Sequence, residues 1–185
     1  MSKFFDDIAD QLNLRWAWEK VRNEAQPGDI WFDEIELAAF ELELERNLAS
    51  IAQEFRKGDY EPSPLKPLPF PKHPDKEGNP RIRQMFQVAI RDQVAWVAVV
   101  NIVGPYVDVE MPVWSYGHRL YRTIWVEKDK DGLRRRKIGR YRHSSGRLYL
   151  PFQQSWPVFR RHIYLATRAM TTSLISLPEL DLKQV

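Results

Sequence analysis

Seven of the 13 prolines lie between residues 62 and 80. Proline has no N–H and a fixed φ, so a run this dense is barred from a helix interior and from the middle of a sheet. What remains is an edge strand and loops. Leu65, Leu68 and Phe70 predict an extended edge strand, His73–Pro80 an exposed loop, and RIRQMFQ at 81–87 the returning strand. The proline run divides an acidic, helix-patterned part from a basic, mixed part.

Residues 4–25 are predicted as a helix, with Phe5, Ile8, Leu12, Trp16 and Val21 near one face and a break at Gln26-Pro27-Gly28-Asp29. Leu37, Phe40, Leu44, Leu48, Ile51 and Phe55 step by three and four, which places them on one helix face over 34–57. Asp33 with Glu36 resembles a capping box, and Arg56-Lys57-Gly58 is a helix stop. The glutamates of this segment read as its wet face, and Asp6-Asp7 as first-turn charge.

Residues 88–103 form an apolar run of helix length, predicted mostly buried and ending at Gly104-Pro105. Segments 120–127 and 147–152 read as strands, with a hairpin turn at Asp131-Gly132 between them, and Trp156–Thr172 as a last helix. The fold class is therefore α+β, an antiparallel sheet flanked by helices. A chain of 185 residues implies one domain, or one and a piece of a second. Its regions are an acidic helical part (1–61), a core of strands plus buried helix (62–119), and a basic hairpin with a helix (120–185).

The absence of cysteine excludes a disulfide framework, a zinc ribbon and a thiol nucleophile. No stretch approaches the roughly 20 apolar residues of a membrane span, and the N-terminus lacks the apolar region of a signal peptide. A soluble cytoplasmic protein with no membrane partner is the expectation. Net charge is only +3, but residues 1–61 hold 7 Lys+Arg against 15 Asp+Glu, and residues 62–185 hold 21 against 10. Arg119–Arg147 alone carries 11 basic and 3 acidic residues. Such a block is a surface for nucleic acid or a solvated charged loop.

The four histidines, His73, His118, His143 and His162, include no pair at helical metal-site spacing. Nucleotide-binding glycine loops and the Gly-x-Ser-x-Gly elbow are absent. Trp114, Tyr116, His118 and Arg119, and again Tyr141, Arg142 and His143, set aromatic rings beside arginine. That pattern suits base stacking with phosphate contact, and it suits core packing equally.

The order of segments carries a resemblance. An amphipathic helix ends in Arg56-Lys57-Gly58-Asp59-Tyr60-Glu61-Pro62, followed by Phe70-Pro71-Lys72, then Arg83, then Asp92 within Ile90-Arg91-Asp92-Gln93-Val94, then Ser115-Tyr116-Gly117-His118-Arg119. In that order these resemble the N-terminal fingers part of bacterial reverse transcriptases, the RNA-directed DNA polymerases of group II introns, retrons and phage-defence systems. The resemblance runs from about Trp16 to Tyr121. Gln93 stands where the family usually has arginine, and His118 where it usually has an aromatic, which suggests a divergent, defence-type branch.

By this resemblance the fold is a fingers subdomain with the palm largely absent. Lys72 and Arg83 would bind the incoming deoxynucleotide, since a triphosphate needs fixed cations, and Arg81 would assist them or face solvent. Arg91, Tyr116, Gly117, His118, Arg119, Arg122, Arg134, Arg135, Arg136, Lys137, Arg140 and Arg142 would contact an RNA template or RNA/DNA duplex. Asp92 would cap its helix or pair with a cation, and Gly117 suggests a tight backbone.

Polymerase chemistry needs two divalent ions, Mg²⁺ or Mn²⁺, held by carboxylates. Asp181 reads as the first metal ligand or as a connecting acid before the palm, and no Tyr-x-Asp-Asp turn is present in the sequence. The expectation is thus a truncated fragment that binds no cofactor alone. Two other readings compete. One is a stand-alone RNA- or DNA-binding module without catalysis. The other is a defence adaptor that uses the acidic helix 34–57 to join a palm-bearing chain. The purified 185-residue chain is expected not to extend a primer with any divalent metal, and detectable nucleotide incorporation would contradict this.

Overall fold

The computed structural model describes residues 3–26, 28, 32–112, 114–128, 130 and 134–175, and for 123–126, 134–138 and 171–175 only the backbone. The first predicted helix is two. α1 (Lys3–Ile8) ends before Asp10, whose carboxylate accepts the Leu12 and Asn13 N–H groups at 2.9 and 3.3 Å and starts α2 (Gln11–Glu24) afresh. The restart rolls α2, so the buried face is Leu14, Ala17, Trp18 and Val21, while Phe5 and Leu12 are exposed. Buried Asn13 fixes that roll by donating to the Ile8 and Ala98 carbonyls at 3.0 and 3.1 Å.

The second predicted helix also breaks, at Glu43, into α3 (Glu34–Leu42) and α4 (Leu44–Lys57). Its apolar face nevertheless holds. Phe40, Leu48 and Ile51 are buried, and Leu37, Leu44 and Phe55 pack against them. Asp33 caps α3 through the Ile35 and Glu36 N–H groups at 3.1 and 3.0 Å. Glu36 does not complete the expected box. Its carboxylate accepts the Ile90 N–H at 2.7 Å and Lys66 at 3.1 Å instead, tying α3 to more distant elements. Gly58 ends α4 at φ 75°, a conformation that favours glycine.

The proline-rich segment is β1 (Lys66–Lys72), and it pairs antiparallel with β2 (Arg81–Gln87). Pairing uses the N–H groups of Leu68, Phe70 and Lys72, so Pro67, Pro69 and Pro71 turn their missing donors to the outer edge, where no further strand can add.

α5 (Ile90–Glu110) runs through Gly104-Pro105, where the sequence predicts a stop. An interior proline costs a helix about 3 kcal/mol. Tertiary contacts beyond it hold the last turns: Asp108 collects two arginines and a backbone N–H, and Leu120 packs where a Cβ on Gly104 would lie only 3.2 Å away.

β3 (Arg122–Lys128) pairs antiparallel with β4 (Arg134–Tyr141), not with 147–152 as the apolar pattern there predicts. Residues 147–152 contribute one bridge, Leu120 to Tyr149. Register sets Arg135 opposite Glu127 and Arg134 opposite Lys128. The predicted turn residues, Asp131 and Gly132, lie outside the described residues. α6 (Phe152–Ile175) starts a turn earlier than predicted.

The architecture is mixed α+β, with two separate two-stranded antiparallel ribbons among the described residues in place of one sheet. The core lies between α2, α3, α4 and α5, with Leu120 and Leu148 closing it, and Trp18 stacks on Phe40 at 5.1 Å. No helix among the described residues is long and apolar enough to cross a membrane.

A polar chain crosses this core. Tyr141 donates to Asn101 Oδ1 at 2.7 Å, and Asn101 donates to Asn13 Oδ1 at 3.1 Å. Beside it, buried Lys20 donates to the His143 carbonyl and sits 6.0 Å over the Tyr141 ring. Burial lowers the Lys20 pKa to about 8, with the Glu19 charge opposing. The unfolded chain therefore holds the Lys20 proton over a pH range where the folded chain has released it, so this residue makes stability rise with pH above about 8. Relative to Lys20→Met, the wild type should gain about 2 kcal/mol between about pH 8 and 9.5 in urea denaturation, and a pH-independent difference would contradict it.

Candidate nucleic-acid interface

Directly opposed residues of an antiparallel pair share a face. In the β1–β2 hairpin Lys72 opposes Arg81 and Phe70 opposes Arg83, so all four fall on one face. They line an open cleft of about 640 Å³ together with His73. Among the described residues no carboxylate lines it, and Lys72, Arg81 and Arg83 form no ion pair. The three residues that the sequence singles out for nucleotide binding are thus brought together. The loop that joins the strands is ordered by Asp75, which accepts the Asn79 and Glu77 N–H groups at 2.8 and 3.0 Å. The Asn79 amide and these backbone bonds hold the Asp75 carboxyl below the ordinary range.

The hairpin root is fixed by Asp92, in the first turn of α5. Asp92 does not cap its helix; of the two expected roles it takes the other, pairing with a cation, Arg91 Nη1 at 3.8 Å. Its buried carboxylate accepts the Tyr60 hydroxyl and the Ser63 N–H, the latter at 2.8 Å, and so pins the segment leading into β1. Burial first, then the bond to Asp92, drives the Tyr60 phenol well above its ordinary pKa. Arg91 pairs with Glu54 and lies 4.7 Å over the Tyr60 ring. The structure does not bring Arg91 to the cationic face; its guanidinium is used inside the protein.

Arg119 and Arg122 are used in the same way. Arg119 grips Asp108 through Nε at 2.8 Å and Nη2 at 3.3 Å, and the Asp108 carbonyl at 2.8 Å. Arg122 reaches the other carboxylate oxygen at 2.8 Å, and the Leu120 N–H adds 3.1 Å. Burial opposes the Asp108 charge, but the Arg119 and Leu120 bonds and both guanidinium charges outweigh it and hold the carboxyl below its ordinary range. The clamp ties the last turn of α5 to the entry of β3.

Between α5 and that entry, Tyr116 is half-buried against Phe159 and His162. Gly117 is exposed with open space around its Cα, and the backbone strain expected there falls one residue later, on His118 at φ 52°. Arg140 and Arg142 are exposed, and Arg134, Arg135, Arg136 and Lys137 lie in β4, where only the backbone is described. Asp181 lies outside the described residues. Among the described residues no three His, Asp or Glu side chains gather into one group.

Sequence reasoning missed Tyr60 and Asp108 as anchors. Tyr60 was legible only as a motif letter, and Asp108 lies beyond the predicted end of its helix. No family model matches the chain, and neither a curated protein nor a solved structure matches it.

Removing one partner from a buried, hydrogen-bonded ion pair costs about 3–5 kcal/mol. Both guanidiniums stay about a quarter exposed, so Asp108→Asn should cost about 3 kcal/mol in urea denaturation at neutral pH. Because the folded carboxyl is depressed, the stabilisation is present above its unfolded pKa and lost on acidification. The deficit should therefore shrink below about pH 4, and an equal deficit at neutral and acid pH would contradict the clamp.

Proposed function

We propose that these residues form the fingers part of an RNA-directed DNA polymerase of the bacterial reverse-transcriptase kind. In this reading the chain binds an RNA template or RNA/DNA duplex and the phosphates of an incoming deoxynucleotide, and it does not complete the chemistry by itself. The observation that carries it is the face made by Lys72, Arg81 and Arg83. Three exposed cations around one open cleft, with no acid among them, form a site for a polyphosphate. Arginine suits the task because its planar fork can grip two phosphate oxygens, and Phe70 offers a ring beside them.

The contrast within the molecule supports the same reading. Arg91, Arg119 and Arg122 have acidic partners at hydrogen-bond distance, while the hairpin cations have none among the described residues. A fold that needed the hairpin cations for its own cohesion would place carboxylates opposite them. Register places Arg81 and Lys72 opposite each other instead, a like-charge pair that costs stability and is relieved by a bound anion.

A second reading, an RNA- or DNA-binding module without polymerase chemistry, is favoured by β4. It sets Arg134, Arg135, Arg136, Lys137 and Arg140 along one strand of a ribbon. The first reading needs the hairpin face to bind phosphate, whereas the second needs the Arg119–Arg147 block. They part on whether a deoxynucleoside triphosphate competes with RNA at the hairpin, as only the polymerase reading requires.

Replacing Arg81 and Arg83 together by glutamate should weaken binding of a short single-stranded RNA at least about tenfold at low salt. It should also lower the slope of log K against log salt by about 1.4, at roughly 0.7 per lost phosphate contact. Fluorescence anisotropy across a salt series measures both. An unchanged slope would remove the hairpin from the interface.

A further inference from the structure

A second surface lies between Trp114, Tyr116 and the first turns of α6. Trp114, Tyr116, Phe152, Trp156 and Phe159 line a slot of about 280 Å³, small for a ligand pocket and walled by rings. Phe152 stacks on Trp156 at 5.3 Å and 26°, and Trp156 contacts Phe159 at 5.3 Å. These rings are not spent on the core: Trp114 is 73% exposed, Phe152 62% and Trp156 43%. The slot shares Gly117, Phe152 and Ser155 with a polar groove of about 970 Å³. Arg147, His118, Ser145, Asn23 and Gln26 face that groove, and Glu24 is its one acid among the described residues. His118 holds its left-handed φ of 52° on the groove wall, a strained backbone of the kind found at ligand sites.

We propose that slot and groove together bind single-stranded nucleic acid, with unstacked bases lying on Trp114, Phe152 and Trp156 and the sugar–phosphate chain passing Arg147. The chemistry favours this occupant over an apolar protein segment. Every base presents a π-face to an exposed ring, and stacking of this kind tolerates any sequence. The slot continues into a groove of hydrogen-bonding groups and a guanidinium, as a base joined to a charged backbone requires, and the 62–185 part of the chain carries a net charge of +11. A duplex keeps its bases stacked on each other and cannot enter. The inference rests on the nucleic-acid reading above for the nature of the polyanion, but on residues outside the hairpin.

The probe is a short single-stranded oligonucleotide carrying 2-aminopurine, whose fluorescence falls when it stacks on a ring. Wild type should quench it saturably, and the duplex of the same sequence should bind more weakly without quenching. Trp114→Leu and Phe152→Leu, at exposed positions where leucine keeps apolarity and loses the ring, should each weaken binding at least about fivefold and reduce the quench, while Trp114→Phe retains it. The Arg81→Glu, Arg83→Glu double variant should lower affinity and leave the quench at saturation intact. If that variant alone is without effect, the hairpin reading fails and this one stands. Unaltered affinity and quench in both leucine variants would overturn the proposal. So would light scattering that finds copies joined through this face, dissociated by Trp114→Leu, with no quench by the wild type.

Discussion

Two buried aspartates on one helix hold both ribbons of this protein. Asp92 sits in the first turn of α5 and Asp108 in its last, with about 24 Å of helix between them. Asp92 takes the Tyr60 hydroxyl and Ser63 N–H and thereby roots β1–β2. Asp108 takes Arg119, Arg122 and the Leu120 N–H and thereby roots β3–β4. A buried carboxylate without such partners would be costly, so each position is over-determined by several bonds. α5 itself is held by apolar packing against α2, α3 and α4 through Ile90, Val94, Ala95 and Ala98. The β1–β2 ribbon has little core of its own, and both ribbons are tied to this helix.

The same carboxylates divide the cations. A chain so basic after residue 61 has more guanidinium and ammonium groups than acids to pair them, and the fold spends its acids selectively. Glu54 and Asp108 absorb Arg91, Arg119 and Arg122. Asp33 and Glu36 absorb Lys66 at the base of the hairpin. Lys20 is buried without a carboxylate, held by a backbone carbonyl. The hairpin keeps Lys72, Arg81 and Arg83 with no acid on its cleft among the described residues. The aromatic slot beside α6 opens on a groove with a guanidinium of its own.

Local patterns were legible where one interaction decides them. The prolines announced an edge strand, Gly58 a helix stop, and the 37–55 spacing a buried face, since each depends on backbone chemistry or periodicity. The convergence of Lys72, Arg81 and Arg83 was legible because a hairpin register follows once its two strands are known. Long-range bonds overruled local signals elsewhere. Asn13 rolled α2 away from Leu12, Asp108 and Leu120 carried α5 past Pro105, and β4 took the basic run in place of the apolar 147–152. The fates of Arg91, Arg119 and Arg122 were hidden for the same reason: a motif letter does not reveal whether a cation faces solvent or a buried acid.

The most direct test of this division of cations is a nuclear magnetic resonance titration of the chain with short single-stranded RNA at two salt concentrations, following arginine and lysine side-chain signals. The account predicts that Lys72, Arg81 and Arg83 shift, that the shifts shrink at high salt, and that Arg91, Arg119 and Arg122 stay in place. Shifts centred on Arg119 and Arg122 with a silent hairpin would contradict it.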